Sequence, residues 1–303
     1  MELADRYASL IDDLDAFRQT IASPLPVVVR QNPIKATRSQ TLAGLTSEGV
    51  TVTEREWNEQ TLELSVENAG KNWAYYHGWI HGQEEVSQIP VTLLDVDSGD
   101  IVWDAAAAPG GKATQLAATV RGDGGYVVAN DVNLGRLAAL RSNADRLGVD
   151  NLIVTNQNAR TYSVADVAVE TFDGALVDAP CSGEGTVRKN PDVNTVTDQA
   201  GRMQLSAIQR DILERAIHLT KPGGSVVYST CTLAPEENEA VVSDIVEATA
   251  AQIEPFETGL TSNPGITAWQ GDRYHPSVSN TQRFYPHHND TGGFYCAKLR
   301  VSS

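Results

Sequence analysis

Two of the three cysteines stand where a thiol can act on a ligand. Cys181 lies in the run Asp178-Ala179-Pro180-Cys181-Ser182-Gly183-Glu184-Gly185, and Cys231 in Tyr228-Ser229-Thr230-Cys231-Thr232. Each follows a short apolar run, Ala175-Leu176-Val177 or Val226-Val227, that reads as a buried strand. In open parallel sheets ligands bind beyond the carboxyl ends of the strands. A thiolate in that position can attack an electrophilic carbon and split one hard step into two easier ones. Asp178 stands at the same strand end. Position alone does not say which thiol attacks. Cys296, inside an apolar run, reads as a small buried hydrophobe. Three cysteines form no disulfide framework, and their spacing at 181, 231 and 296 matches no zinc pattern, so no metal is expected.

A second constellation is Asp104-Ala105-Ala106-Ala107-Ala108-Pro109-Gly110-Gly111-Lys112. It falls between the strand-like Ile101-Val102-Trp103 and a helical stretch. Small residues there let the backbone approach a ligand that faces the helix N-terminus. Asp131 closes the next strand, twenty residues after Gly111 (131 − 111), where an acid can meet ribose hydroxyls. The run is neither a full dinucleotide fingerprint nor a phosphate loop. A nucleoside without a triphosphate therefore suits it.

The elements that must position these residues alternate. Ile101–Trp103, Tyr126–Ala129, Leu152–Val154, Ala175–Val177 and Ser225–Tyr228 read as five strands. Between them, Leu134 to Leu147 reads as a helix ended by Gly148, and residues 198 to 219 as a long helix. Pro235 is expected early in a helix after the fifth strand. Phe284-Tyr285 and Phe294 to Leu299 bracket Asn289–Gly293 as a hairpin. This pattern predicts an α/β fold with a doubly wound, mostly parallel sheet over residues 91–303. Residues 1–90 read as a small α+β domain for binding and entry of the substrate. In it, Leu3, Tyr7, Leu10, Ile11, Leu14 and Phe17 follow helical spacing, ended by Pro24 and Pro26. Val27–Val29 reads as a strand and Gln40 to Gly49 as a short helix.

Composition narrows the class. The 303 residues are 41% hydrophobic, enough for a real core. No stretch reaches the ~18–20 apolar residues of a membrane helix, and the acidic N-terminus is unlike a signal peptide. A cytoplasmic, monomeric protein is expected. Acidic residues number 39 against 23 basic ones, giving a net charge of −16, and only six of the basic ones are Lys. Such a surface suits a salty cytoplasm, where dense acidic groups keep a protein hydrated.

The run Asp104–Lys112, the Asp178–Gly185 block and Ser229-Thr230-Cys231-Thr232 resemble the signature blocks of the RNA (cytosine-5) methyltransferases of the Nol/Nop/Sun family. The likeness extends to Arg283, Pro286-His287 and Gly293-Phe294. At the other end it takes in Val29–Lys35 and Gly82-Gln83-Glu84, so it spans nearly the whole chain. It implies a class I, Rossmann-like fold, S-adenosylmethionine as methyl donor and RNA as substrate. It also implies Cys231 as nucleophile at carbon 6 of cytosine and Cys181 as the group assisting release. Ala106, Ala107, Ala108, Pro109, Gly110, Gly111, Lys112, Asp131, Arg136 and Asp178 would line the cofactor and base pocket, with Lys112 and Asp178 near the cytosine. Asn158 departs from the pattern: many relatives carry Asp there, so different adenine contacts are expected. The layout most resembles the archaeal tRNA enzymes, with ribosomal RNA as the alternative substrate.

An acidic chain can still bind RNA if its cations are gathered, and the candidates are Arg30, Lys35, Arg38, Arg188 and Lys189. More distant readings are a small-molecule or protein methyltransferase with structural cysteines, and a non-catalytic RNA-binding or assembly factor. The intact Asp178, Cys181 and Cys231 speak against the last.

Overall fold

A computed structural model describes residues 2–194 and 198–302. The chain opens with two short helices, α1 (Leu3–Arg6) and α2 (Leu14–Ile21), where the spacing predicts one. The break has a local cause. The Asp13 side chain accepts a hydrogen bond from the Ala16 amide and caps α2, while the amides of Leu10 and Ile11 turn back onto the Tyr7 carbonyl. The predicted apolar stripe is nonetheless kept, because Leu3, Tyr7, Ile11 and Phe17 bury in one cluster with Trp269 and Tyr285.

Strands β1 (Val27–Gln31), β2 (Val52–Glu54), β3 (Thr61–Leu64) and β4 (Ile80–Gly82) form an antiparallel sheet in the order β2-β3-β1-β4. Helices α3 (Arg38–Ser47) and α4 (Trp73–Tyr76) complete this unit around Val29, Leu45, Leu62 and Ile80. Helix α5 (Glu85–Leu93) runs across residue 90, and its Val86, Ile89 and Val91 bury in the core of the larger unit.

That larger unit contains β5 (Ile101–Asp104), α6 (Gly111–Thr119), β6 (Tyr126–Asn130), α7 (Leu134–Leu147) and β7 (Leu152–Thr155). After these come β8 (Phe172–Asp178), α8 (Gln199–Leu219), β9 (Thr220–Thr230) and α9 (Glu239–Ala248). The five strands run parallel in the order β7-β6-β5-β8-β9, and strand 294–300 joins β9 antiparallel, with 282–284 beside it. Central strands lie between two apolar cores, one under α8 and α9 and one under α5, α6 and α7. Gly148, at φ +71, ends α7 as the sequence predicts. Pro235 does not start α9. It lies in the preceding turn, where its carbonyl accepts the amides of Asn238 and Ala240. Among the described residues no helix is long and apolar enough to cross a membrane.

Candidate active site

The carboxyl ends of β5, β6, β8 and β9 open on one cavity of about 600 Å³. Strand pairing accounts for the convergence. β8 and β9 are neighbours in register, Asp178 opposite Ser229, so the residues that follow each strand meet. The sulfurs of Cys181 and Cys231 are 3.3 Å apart. The loop around Cys181 is tied down tightly. The Ser182 amide donates to Glu237, and Gln209 donates both to that carboxylate and to the Pro180 carbonyl. Gly185 donates its amide to the Cys231 carbonyl, and a Cβ on it would sit 2.1 Å from the Gly293 oxygen. Only glycine lets three chain segments meet there.

Charge around the thiols is arranged by Lys112, the second residue of α6. Its ammonium donates to Asp178 Oδ2 at 2.7 Å and to Ser87 Oγ at 3.0 Å, above the ring of Phe294. Asp178 Oδ1 accepts from Ser229 at 2.8 Å. Burial would lower the Lys112 pKa, but Asp178 outweighs it, so the ammonium stays charged. The hydrogen bond from Cys181 pulls the Cys231 thiol below its ordinary range, helped by Lys112 and opposed by burial and Asp178. The same contact, with burial, pushes Cys181 up. Cys231 is thus the better thiolate of the pair. Cys296 is fully buried on strand 294–300, as expected.

The alanine run follows β5 and leads into α6 through Gly110, whose φ of +106 favours glycine. Asp131, at the end of β6, accepts the Ala108 amide at 3.2 Å and the Asn133 amide at 2.8 Å. The Arg136 guanidinium lies 3.5 Å from Asp131 and donates to the Ala108 carbonyl. Asn158 caps a short turn by accepting the Arg160 amide, and it too lines the cavity. Asp104 is buried at the cavity floor, and neither carboxylate oxygen receives a hydrogen bond of normal geometry. Burial and the nearby Asp178 raise its pKa to about 8, against the opposing pull of Lys112 and the Ala106 amide.

The predicted RNA-contacting cations are not brought together. Arg30 is 1% exposed and donates to Gln83 and Thr114 under α6. Arg188 is enclosed, with its guanidinium on the carbonyls of Ser23, Pro24 and Thr291 and on Asp290. Neither presents its charge to solvent, which corrects the expectation for both. Lys35 is exposed on the small unit. Arg38 is half-buried and pairs with Glu54. Lys189 is exposed at the cavity mouth and pairs with Glu84. Ser87 was missed because α5 carries no chemical motif. Ser229, within the quoted Ser-Thr-Cys-Thr run, was legible as sequence but not as a partner of Asp178.

Residues 91–300 match the 16S rRNA methyltransferase RsmB/F family. The chain is 33% identical over 302 residues to a tRNA (cytosine(49)-C(5))-methyltransferase of Pyrococcus abyssi, covering 99% of this chain and 95% of that protein. It is 35% identical over 311 residues to a 26S rRNA (cytosine-C(5))-methyltransferase of Caenorhabditis elegans, covering 100% of this chain but 46% of that one. It thus spans only about half the length of such ribosomal RNA relatives. A solved structure described as a methyltransferase homolog protein from Pyrococcus horikoshii superimposes with a TM-score of 0.84 at 31% identity, covering 98% and 93% of the two chains. With the sheet unit matched to the family and an end-to-end relative above 30% identity, the chain belongs to the RsmB/F family of RNA (cytosine-5) methyltransferases.

Proposed function

We propose that this protein methylates carbon 5 of a cytosine in RNA, with tRNA as the substrate. The observation that carries this reading is the pair of thiols 3.3 Å apart, beside the Lys112–Asp178 pair and open to the alanine–glycine loop. S-adenosylmethionine fits that loop. The buried Asp104 carboxylate lacks a partner that an ammonium would supply, small side chains border the cavity, and Asp131 lies within reach of hydroxyls. Ala106 to Lys112, Asp131, Arg136, Asn158 and Asp178 are the residues assigned to hold it. When bound, it supplies the methyl group.

The chain's own residues do the rest. The Cys231 thiolate adds to carbon 6 of the cytosine, and the displaced electron pair makes carbon 5 nucleophilic. Asp178 accepts from the exocyclic amine of the base, and Lys112, donating to it at 2.7 Å, holds Asp178 in place. After methylation the carbon 5 proton is lost to water with Cys181 assisting, its bonding pair re-forms the carbon 5–carbon 6 double bond, and the pair of the Cys231–carbon 6 bond returns to sulfur as the thiolate. Lys35, Arg38 and Lys189 are assigned to RNA phosphates, and the exposed rings of Trp73 and Tyr76 offer faces for stacking. Arg30 and Arg188 act only from inside. The charge of −16 supports a salt-adapted enzyme of archaeal type working in the cytoplasm.

Similarity to the tRNA enzyme over 95% of that protein supports tRNA, and similar identity to ribosomal RNA enzymes makes ribosomal RNA the second reading. Transfer of tritiated methyl groups from labelled cofactor to tRNA, ribosomal RNA and protein separates them. Label in tRNA, located at a cytosine by bisulfite sequencing, is the expected result. Label in ribosomal RNA alone would install the second reading, and label in protein alone would discard both.

A further inference from the structure

We propose that Asp12, His287 and His288 form a binding site for a divalent transition-metal cation, zinc being the ion this donor set suits. The three residues meet outside the methyltransfer cavity. Asp12 lies in the turn between α1 and α2, and the histidines lie on the short helix Pro286–Asn289. His287 Nε2 is 2.8 Å from Asp12 Oδ1, and His288 Nε2 is 3.0 Å from both Asp12 oxygens. One donor atom from each residue lies within 4.8 Å of the other two.

Packing holds the rings in this aim. The edge of His287 meets Phe17 at 5.9 Å between centroids, and His288 meets Tyr285 edge-on at 5.7 Å. The side chains of His287 and His288 are only 4% and 8% exposed, against 55% for Asp12. The Nδ1 atoms have no hydrogen-bond partner, so Nε2 is the only polar atom engaged on each ring. Both Nε2 atoms therefore point at one carboxylate.

The donor set is two imidazoles and a carboxylate, with a fourth direction left to water. That is the composition of an open zinc site. Tetrahedral bonds of about 2.0–2.1 Å place donor atoms about 3.3–3.4 Å apart, so each contact needs to open by roughly half an ångström. Asp12, the least enclosed of the three, is the ligand that would shift. A bound cation would clamp the N-terminal helices to the segment that leads into Gly293 and Phe294 at the cavity wall. Sequence spacing could not reveal the set, since Asp12 and His287 are 275 residues apart.

Cobalt is the probe, because its visible absorption reports coordination and a near-ultraviolet thiolate band would betray binding at Cys181 and Cys231 instead. Full-length protein stripped with chelator and titrated with Co²⁺ should show absorption saturating at one equivalent, without a thiolate band. Zinc should displace the cobalt and raise the melting temperature. Asp12→Asn and His288→Gln should each weaken binding about tenfold or more. Circular dichroism on both variants checks that each is folded. Absence of saturable binding, a thiolate band, or unchanged affinity in both variants would overturn the site.

Discussion

At the scale of single residues the site rests on how neighbours divide protons between them. Cys231 and Cys181 share one hydrogen bond, which favours the thiolate on Cys231. The two alanine variants should therefore behave differently. On the proposed mechanism, no bond to carbon 6 should form without Cys231. Without Cys181, attack should proceed but release stall, leaving protein bonded to RNA. Cys181→Ala should give a slow-migrating protein–RNA band on a denaturing gel, and Cys231→Ala none. The reverse pattern would exchange the two roles. Asp104 carries a second residue-level prediction. Its pKa of about 8 lies far above the ordinary 3.8, so in the cofactor-free protein the folded state holds a proton that the unfolded chain has lost between those values. This contribution is fully present below pH 3.8 and disappears as pH rises through about 8. Asp104→Asn should remove that decline. The melting temperature of the variant relative to the native protein should rise between about pH 5 and about pH 9. A constant difference would mean that Asp104 is ionised throughout.

Elements bring these residues together, and the C-terminal hairpin is one of them. Strand 282–284 carries Arg283, which is 2% exposed and pairs with the fully buried Glu239 at the start of α9. The same guanidinium donates to the Leu233 carbonyl at 2.9 Å, two residues past Cys231. Arg283 thus connects the hairpin, α9 and the loop that follows Cys231. Removing it leaves a buried carboxylate unpaired. Arg283→Ala should lose about 3–5 kcal/mol in denaturant unfolding, and adding Glu239→Ala should recover part of that loss. A double variant whose loss equals the sum of the losses of Arg283→Ala and Glu239→Ala would show that the pair is not coupled.

For the molecule as a whole, the dominant quantity is charge. A net −16 on 303 residues means that carboxylates repel across much of the surface, and many surface cations already sit in pairs such as Arg121–Asp150 and Arg160–Asp211. Added counterions relieve the repulsion. The melting temperature should climb steeply from dilute buffer to molar potassium chloride. A flat curve would point to an ordinary acidic enzyme.

The local signals in the chain were enough for the strand–helix alternation, the loop at Asp104–Lys112, the strand ends carrying Asp178 and Cys231, and the closure of α7 at Gly148. Each depends on periodicity or on a residue's own backbone preference, which short windows contain. The helix across Leu3–Phe17 failed where a single cap at Asp13 competed with a continuous apolar stripe. What tertiary structure alone decided is pairing across distance. The two sulfurs meet because β8 and β9 align Asp178 with Ser229. Arg30 and Arg188 are interior because carbonyls and amides from remote segments surround them. The Asp12–His287–His288 cluster exists because the two ends of the chain pack on each other. Contacts of that kind depend on how sheets and helices are stacked, and no stretch of neighbouring residues encodes them.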